Sequence, residues 1–155
     1  MESMEVAHRD IKLENILIDD ENVVKIGDFG SAILEPHDSA TTTPVGTQVF
    51  WPPEYKHEPG ATPVGSQLGH VEIWLLGTVL LELVQAPYAP GKKHRAYKKR
   101  ARARVQSQRP AGWSEGAWRA CRQLIFACRQ PDPANRPTIR TVAANTWLFP
   151  DQDGF

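Results

Sequence analysis

Ile16 to Ile18 and Val23 to Ile26 are short apolar, β-prone runs separated by the polar stretch Asp19, Asp20, Glu21 and Asn22. That pattern predicts a hairpin. Residues 30 to 50, GSAILEPHDSATTTPVGTQVF, have no sustained period and are rich in Ser, Thr, Pro and Gly, which predicts a long loop of the kind that usually carries function. A short helical turn is expected after Pro52 and Pro53, then a Gly/Pro-rich loop from Glu58 to Gly69. The apolar run from Val71 to Val84 predicts a core helix that ends at Gln85 to Pro90. Within Ser114 to Gln130, Trp118, Cys121, Leu124, Ile125 and Cys128 recur at steps of three and four, the spacing of one helix face. The turn PDPANRP leads to a last helix expected over Ile139 to Leu148. The pattern as a whole is mainly α with a small β hairpin, without an internal repeat or a low-complexity tract.

The length of 155 residues suits one domain with its own core, and 41% hydrophobic residues with five tryptophans exclude a disordered composition. The run from Val71 to Val84 is too short for a membrane span and contains Glu72 and Glu82. MESMEVAHRD has no apolar core of a secretory leader, so a cytoplasmic location is expected. Cys121 and Cys128 lie seven residues apart on a predicted helix, roughly 10 Å between α-carbons and beyond disulfide reach, so they read as buried thiols.

Charge changes the picture through its distribution. Formal charge is balanced at 18 basic against 18 acidic residues, but Lys92, Lys93, Arg95, Lys98, Lys99, Arg100, Arg102, Arg104 and Arg109 fall in one window without an acidic residue. The rest of the chain therefore holds 18 − 9 = 9 basic against 18 acidic side chains, a basic patch on an acidic body. The window reads as a solvated face, as a nuclear-import signal or as a dock for an acidic partner. Nucleic acid is disfavoured, because only Tyr97 is interleaved and no base-reading motif is present. The five histidines have no zinc-ligand spacing with the cysteines.

HRDIKLEN at 8–15 sets a carboxylate, an ammonium and an amide two and three residues apart, and DFG at 28–30 follows thirteen residues beyond Asn15. The predicted hairpin between them would bring both to one edge. Oxygen ligands from Asn15 and Asp28 suit a hard divalent cation, and Asp10 and Lys12 beside them suit phosphoryl transfer to a hydroxyl.

This pair of motifs resembles the protein-kinase signature. The resemblance extends along nearly the whole chain: VGTQVFWPPEY is similar to the end of an activation segment, IWLLG at 73–77 to the start of the long central helix, and NRPT to the element carrying a conserved arginine. HRDIKLENILID, DFGSA and GTQVFWPPEY resemble the PIM kinases, a serine/threonine group. The implied fold is the C-terminal lobe of the α+β protein-kinase fold. The catalytic loop would be 8–15, the activation segment 28–54 and the helical subdomain 55–149 of a partial kinase domain covering 1–155.

The resemblance also implies roles. Asp10 would be the catalytic base, Lys12 the clamp on ATP phosphate, and Asn15 and Asp28 the Mg²⁺ ligands. Glu14 would approach the ribose and Leu17 would floor the adenine. Thr47 would bridge Asp10 and Lys12, which with Lys12 itself favours serine or threonine over tyrosine acceptors in protein substrates. Glu54 would pair with Arg136. His8 and Phe29 would join the hydrophobic spine, and Arg9 would pair with a phosphate if Ser31, Ser39, Thr41, Thr42 or Thr43 were modified.

Some positions depart from the family pattern. Glu72 replaces the aspartate that usually anchors the catalytic loop, and its extra methylene demands a shift to make the same bonds. Gly27 is small where a larger apolar residue is common. A Gly-rich loop, a strand lysine and its glutamate partner are absent, so the N-lobe is expected to be missing and the isolated chain to be weakly active or inactive. The alternative is a non-catalytic regulator that binds partners through the activation segment and the basic face.

Overall fold

A computed structural model of the chain describes residues 6–34, 44–57, 66–84, 109–145 and 147–148. Among the described residues, four short strands, β1 (Val6–Ala7), β2 (Ile16–Ile18), β3 (Val24–Ile26) and β4 (Ile33–Leu34), precede four helices, α1 (Glu54–His57), α2 (Ser66–Leu83), α3 (Glu115–Cys128) and α4 (Ile139–Ala143).

Helix α3 follows from its sequence. The Ser114 hydroxyl accepts the Ala117 N–H at 3.1 Å and caps the first turn, where Glu115 also complements the helix dipole. Its stripe of Trp118, Cys121, Leu124, Ile125 and Cys128 is buried against Ile73, Leu80 and Leu81 of α2 and Val142 of α4. Each large side chain in such a cluster contributes about 1.5–3 kcal/mol by leaving water. Gly77 sets how closely the helices cross, since a Cβ there would lie 2.7 Å from Cys128 Cβ. The two cysteines are buried and free, and burial pushes both thiols up to about 11.

A second cluster, Phe50, Tyr55, Val71, Trp74 and Leu75, forms on α2 with Ile11 and Trp51 packed beside it. The two clusters use different residues of one helix. Hence α2 is a shared wall, with α3 on one side and the catalytic and activation segments on the other.

The hairpin pairs Ile16 with Ile26, Leu17 with Lys25 and Ile18 with Val24. Asp19 makes its corner: Oδ1 accepts the N–H groups of Glu21 at 3.0 Å and Val23 at 2.9 Å, and Oδ2 pairs with Lys25 at 2.7 Å. Asn22 takes the left-handed conformation that Asn tolerates, and Val23 belongs to the turn rather than to the strand.

Four expectations need correction. The hairpin is not the sole β structure, because β1 and β4 form a second antiparallel pair, with Val6 opposite Leu34 and Ala7 opposite Ile33. The stretch 30–50 is therefore not all loop. Helix α2 begins at Ser66, five residues before the apolar run, because His70 and its neighbours continue the helix while its carbonyl accepts from Arg136 at 3.0 Å. The last helix stops at Ala143 instead of Leu148: Asn145 Oδ1 takes the Trp147 N–H at 3.0 Å, and its carbonyl takes that of Leu148 at 3.0 Å. That turn folds Trp147 and Leu148 back onto the α2–α3 cluster. Among the described residues no helix is long and apolar enough to cross a membrane.

Candidate active site

The catalytic loop follows β1 and ends in a 3₁₀ turn at Leu13–Asn15, and His8, Arg9, Asp10, Lys12 and Asn15 each have a side-chain partner. His8 is buried; its Nδ1 accepts the Asp10 N–H at 3.3 Å, leaving Nε2 to donate to the Gly27 carbonyl at 2.9 Å. One neutral tautomer satisfies both bonds. The Phe29 ring meets the His8 ring edge-on, with centroids 5.0 Å apart. Gly27 thus serves through its carbonyl, while a Cβ there would come within 3.1 Å of Leu17 Cδ1.

Arg9 has φ of 65°, a left-handed conformation uncommon outside glycine and one that costs on the order of 1–3 kcal/mol. Two bonds hold it there. Its N–H donates to Glu72 Oε1 at 2.6 Å and its Nε–H to the Ser31 carbonyl at 2.6 Å. The longer glutamate therefore reaches the loop backbone through the Arg9 N–H. Burial raises the Glu72 carboxyl above its ordinary 4.5, against the lowering effect of the Arg9 and His8 contacts.

Asp10 receives bonds on both oxygens. Oδ1 accepts the Thr47 N–H at 2.8 Å; Oδ2 accepts Lys12 Nζ at 2.6 Å and Asn15 Nδ2 weakly at 3.5 Å. Burial works to raise its pKa, but Lys12 and Thr47 together hold it below the ordinary 3.8, so the group is ionised at neutral pH. Lys12 also donates to Thr47 Oγ1 at 2.9 Å, closing a ring of Asp10, Lys12 and Thr47. Gly46 permits that ring: its φ is +85°, and a Cβ would stand 2.4 Å from the Arg9 carbonyl oxygen.

Asn15 is buried and donates from Nδ2 to the Asp10 carbonyl at 2.9 Å, while its own carbonyl accepts the Gly27 N–H at 2.8 Å. That last bond extends the hairpin ladder and brings Asn15 beside the residue preceding Asp28. Asp28 is exposed, has φ of 57°, and accepts the Gly30 N–H at 3.3 Å. Asn15 Oδ1, left available while the amide nitrogen is occupied, and the Asp28 carboxylate are the hard-oxygen donor types that could hold a magnesium ion. Among the described residues, no three His, Cys, Asp or Glu side chains cluster as a metal site. Glu14 and Leu17 lie on the exposed side of the turn and hairpin.

Glu54 and Arg136 form a two-pronged pair, Nη1 to Oε1 and Nη2 to Oε2, both at 2.7 Å. Arg136 Nε also donates to the Gln130 carbonyl at 2.9 Å, and Nη2 to that of Pro131 at 3.2 Å. The pair is separate from the Asp10 ring and ties α1 to the turn after α3. Of the basic window only Arg109 is described, donating to the Trp113 carbonyl at 2.7 Å; residues 92–108, Ser39 and Thr41 to Thr43 lie outside the described residues.

Sequence reasoning missed Trp74. Its indole Nε1–H donates to the buried Phe50 carbonyl at 3.0 Å. IWLLG marked the helix, but a contact between α2 and the activation segment has no signature in either stretch alone.

An ionised Asp10 bonded to Lys12, Asn15 and Thr47, with the exposed Asp28 following Gly27, sets out the residue types of the protein-kinase motifs. The family model described as "Protein kinase domain" matches residues 1–148, and the chain belongs to that family. It is 30% identical to an Aurora kinase of Saccharomyces cerevisiae, over 96% of this chain and 38% of that protein. It is 32% identical to CBL-interacting protein kinase 25 of Oryza sativa subsp. japonica, over 92% of this chain and 27% of that protein. It is also 30% identical to a serine/threonine-protein kinase, plk-2, of Caenorhabditis elegans, over 96% of this chain and 22% of that protein. The chain thus spans less than two fifths of the length of these relatives.

Proposed function

We propose that the chain is the catalytic lower part of a serine/threonine protein kinase, which transfers the γ-phosphoryl group of ATP to Ser or Thr hydroxyls of proteins. The observation that carries this reading is the closed ring of Asp10, Lys12 and Thr47. In it Asp10 orients the acceptor hydroxyl and takes its proton, and Lys12 is placed to neutralise phosphate charge. The bridging Thr47 hydroxyl and the serine/threonine-protein kinase among the relatives support the acceptor class. Asn15 Oδ1 and Asp28 would hold magnesium, with Mg-ATP supplying the transferable phosphoryl group when bound. Glu14 and Leu17 would face the ribose and adenine. Exposed Ile18, Val24 and Ile26 on one face of the hairpin, and exposed Leu17 on the other with Phe29 beyond it, leave apolar surface on which nucleotide and upper-lobe elements would pack.

The PIM-like assignment rests on HRDIKLENILID, DFGSA and GTQVFWPPEY. An acidic partner for residues 92–109, and nuclear import through that window, rest on charge alone. All four residue types needed for transfer are intact, and nothing specific favours a non-catalytic regulator. The test is phosphate transfer from ATP to a serine peptide by the natural protein that carries these residues. Asp10→Asn should lower its rate by about 10²- to 10⁴-fold. Undiminished transfer would sink the assignment of Asp10.

A further inference from the structure

Trp74 stands between two guanidinium groups and the activation segment. The Arg136 carbon Cζ lies 5.0 Å from its ring centroid and that of Arg129 lies 4.4 Å away. Arg136 is neutralised by Glu54 and serves the ion pair already described. Arg129 follows the last residue of α3 and belongs to a different arrangement. Its Nη1 donates to the Thr78 hydroxyl, which is buried and itself donates to the Trp74 carbonyl at 3.0 Å. Arg129 therefore holds the indole face directly and the Trp74 backbone through Thr78.

Two neighbouring residues of α2 make that placement feasible. A Cβ on Gly77 would lie 2.9 Å from Arg129 Cγ, so the bare backbone there lets the arginine stem cross the helix. Thr78, next in sequence, supplies the oxygen at the end of that crossing.

The bonds continue beyond Trp74. Its indole donates to the Phe50 carbonyl at 3.0 Å, and Phe50 closes the 3₁₀ turn Gln48–Phe50 through its N–H to the Thr47 carbonyl at 2.9 Å. Thr47 precedes this turn without capping it by its side chain; the hydroxyl instead accepts Lys12, and the Thr47 N–H donates to Asp10. We propose that Arg129 and Thr78 are positioning residues that act through Trp74 and the Phe50 carbonyl to hold Thr47 against Asp10 and Lys12. This rests on the kinase reading for its functional meaning, since Thr47 matters only if Asp10 and Lys12 perform the transfer.

The test is residue-resolved amide hydrogen exchange on the full chain with Thr78→Val, Thr78→Ser and Arg129→Met, the last retaining an apolar stem. Loss of one buried hydrogen bond should speed exchange at Thr47, Phe50 and Trp51 by about five- to tenfold in Thr78→Val and Arg129→Met. Leu124 and Ile125 in α3 should keep their protection, and Thr78→Ser, which retains the hydroxyl, should restore that of the 47–51 turn. Unchanged exchange at the turn in both variants would overturn the proposal. So would a uniform rise that includes α3, because it would mean general loosening of the core, and so would failure of serine to rescue. Phosphate transfer does not enter the readout: a failed kinase reading leaves the exchange pattern standing, and a failed proposal leaves it flat.

Discussion

Ile125 on α3 is 1% exposed, whereas Ile18 on β2, the same side chain, is 67% exposed. Around Ile125 the apolar stripes of two helices interlock across Gly77 and bury two thiols and a tryptophan. Around Ile18, Val24 and Ile26 also stand open on one face of a two-stranded ribbon, with no layer packed over that face among the described residues. A lone ribbon of this kind satisfies its backbone but gains little from burial. The difference separates what holds this chain together from what presents its chemistry. The catalytic loop hangs between the two regions, tied to α2 through Glu72 and to the ribbon through His8 and Asn15.

The largest expected effect is at the junction of the helical region. The Arg136 side chain is fully buried, and Arg136→Met would leave Glu54 without its partner and three carbonyls without their donor. Breaking a buried pair from one side costs about 3–5 kcal/mol, which a urea unfolding curve should register as a lowered midpoint with little change of slope. A loss below about 1 kcal/mol would place the stability elsewhere than this junction.

The contrast itself can be measured with two truncations of the same residue type. Ile125→Ala should cost about 2–5 kcal/mol, while Ile18→Ala should stay within about 0.5 kcal/mol because its side chain is already in water. Equal costs would show that something covers the β2–β3 face in solution. Two glycines of α2 sharpen the comparison further. Gly77→Ala should destabilise by about 1–3 kcal/mol, because its Cβ meets Cys128 at 2.7 Å. A Cβ on Gly69 meets nothing within 4 Å, so Gly69→Ala should stabilise by up to about 1 kcal/mol. Thermal melts of the two proteins should move in opposite directions.

The smallest effect concerns pH, and its sign differs between two carboxylates. Glu72 has a folded-state pKa raised by burial above 4.5, so it favours folding below that value, and this contribution is lost as pH rises through its folded pKa. Asp10 is held below 3.8 despite its burial, because the Lys12 and Thr47 bonds prevail; it favours folding above 3.8 and loses that contribution as pH falls through its folded pKa. Urea midpoints followed across the acid range should decline less on the alkaline side in Glu72→Gln, and on the acid side in Asp10→Asn. If neither limb changes, these two groups do not shape the pH dependence.

Much of this was legible along the chain. The α3 stripe was readable because five apolar residues at steps of three and four lie between a serine cap and a proline-rich turn. The hairpin was readable because Asp19 to Asn22 can close a turn with their own side chains. Helix ends were less so. Asn145 looks like an ordinary late-helix residue until its side chain is seen to take the Trp147 N–H, and the pairing of β1 with β4 joins residues too far apart for any local period to reveal. The partner of Glu72 was not legible either: whether a longer carboxylate reaches Arg9 depends on where α2 passes the loop, a distance with no counterpart in local pattern.

The sequence by itself determined which chemistry is on offer, because the residue types and spacings of HRDIKLEN, DFG and the Gly-Thr turn limit what these side chains can donate, accept or ligate. It also determined which helix face is apolar, since the period of the backbone turns composition into geometry. Only the tertiary structure decided which oxygen of Asp10 meets Thr47 and which meets Lys12, that Glu72 reaches the Arg9 N–H, and that Arg129 lies over Trp74. All but the Asp10–Lys12 contact join residues from separate elements. For Arg129 the placement depends on how closely α2 and α3 cross at Gly77, a property of packing that no single stretch of chain contains.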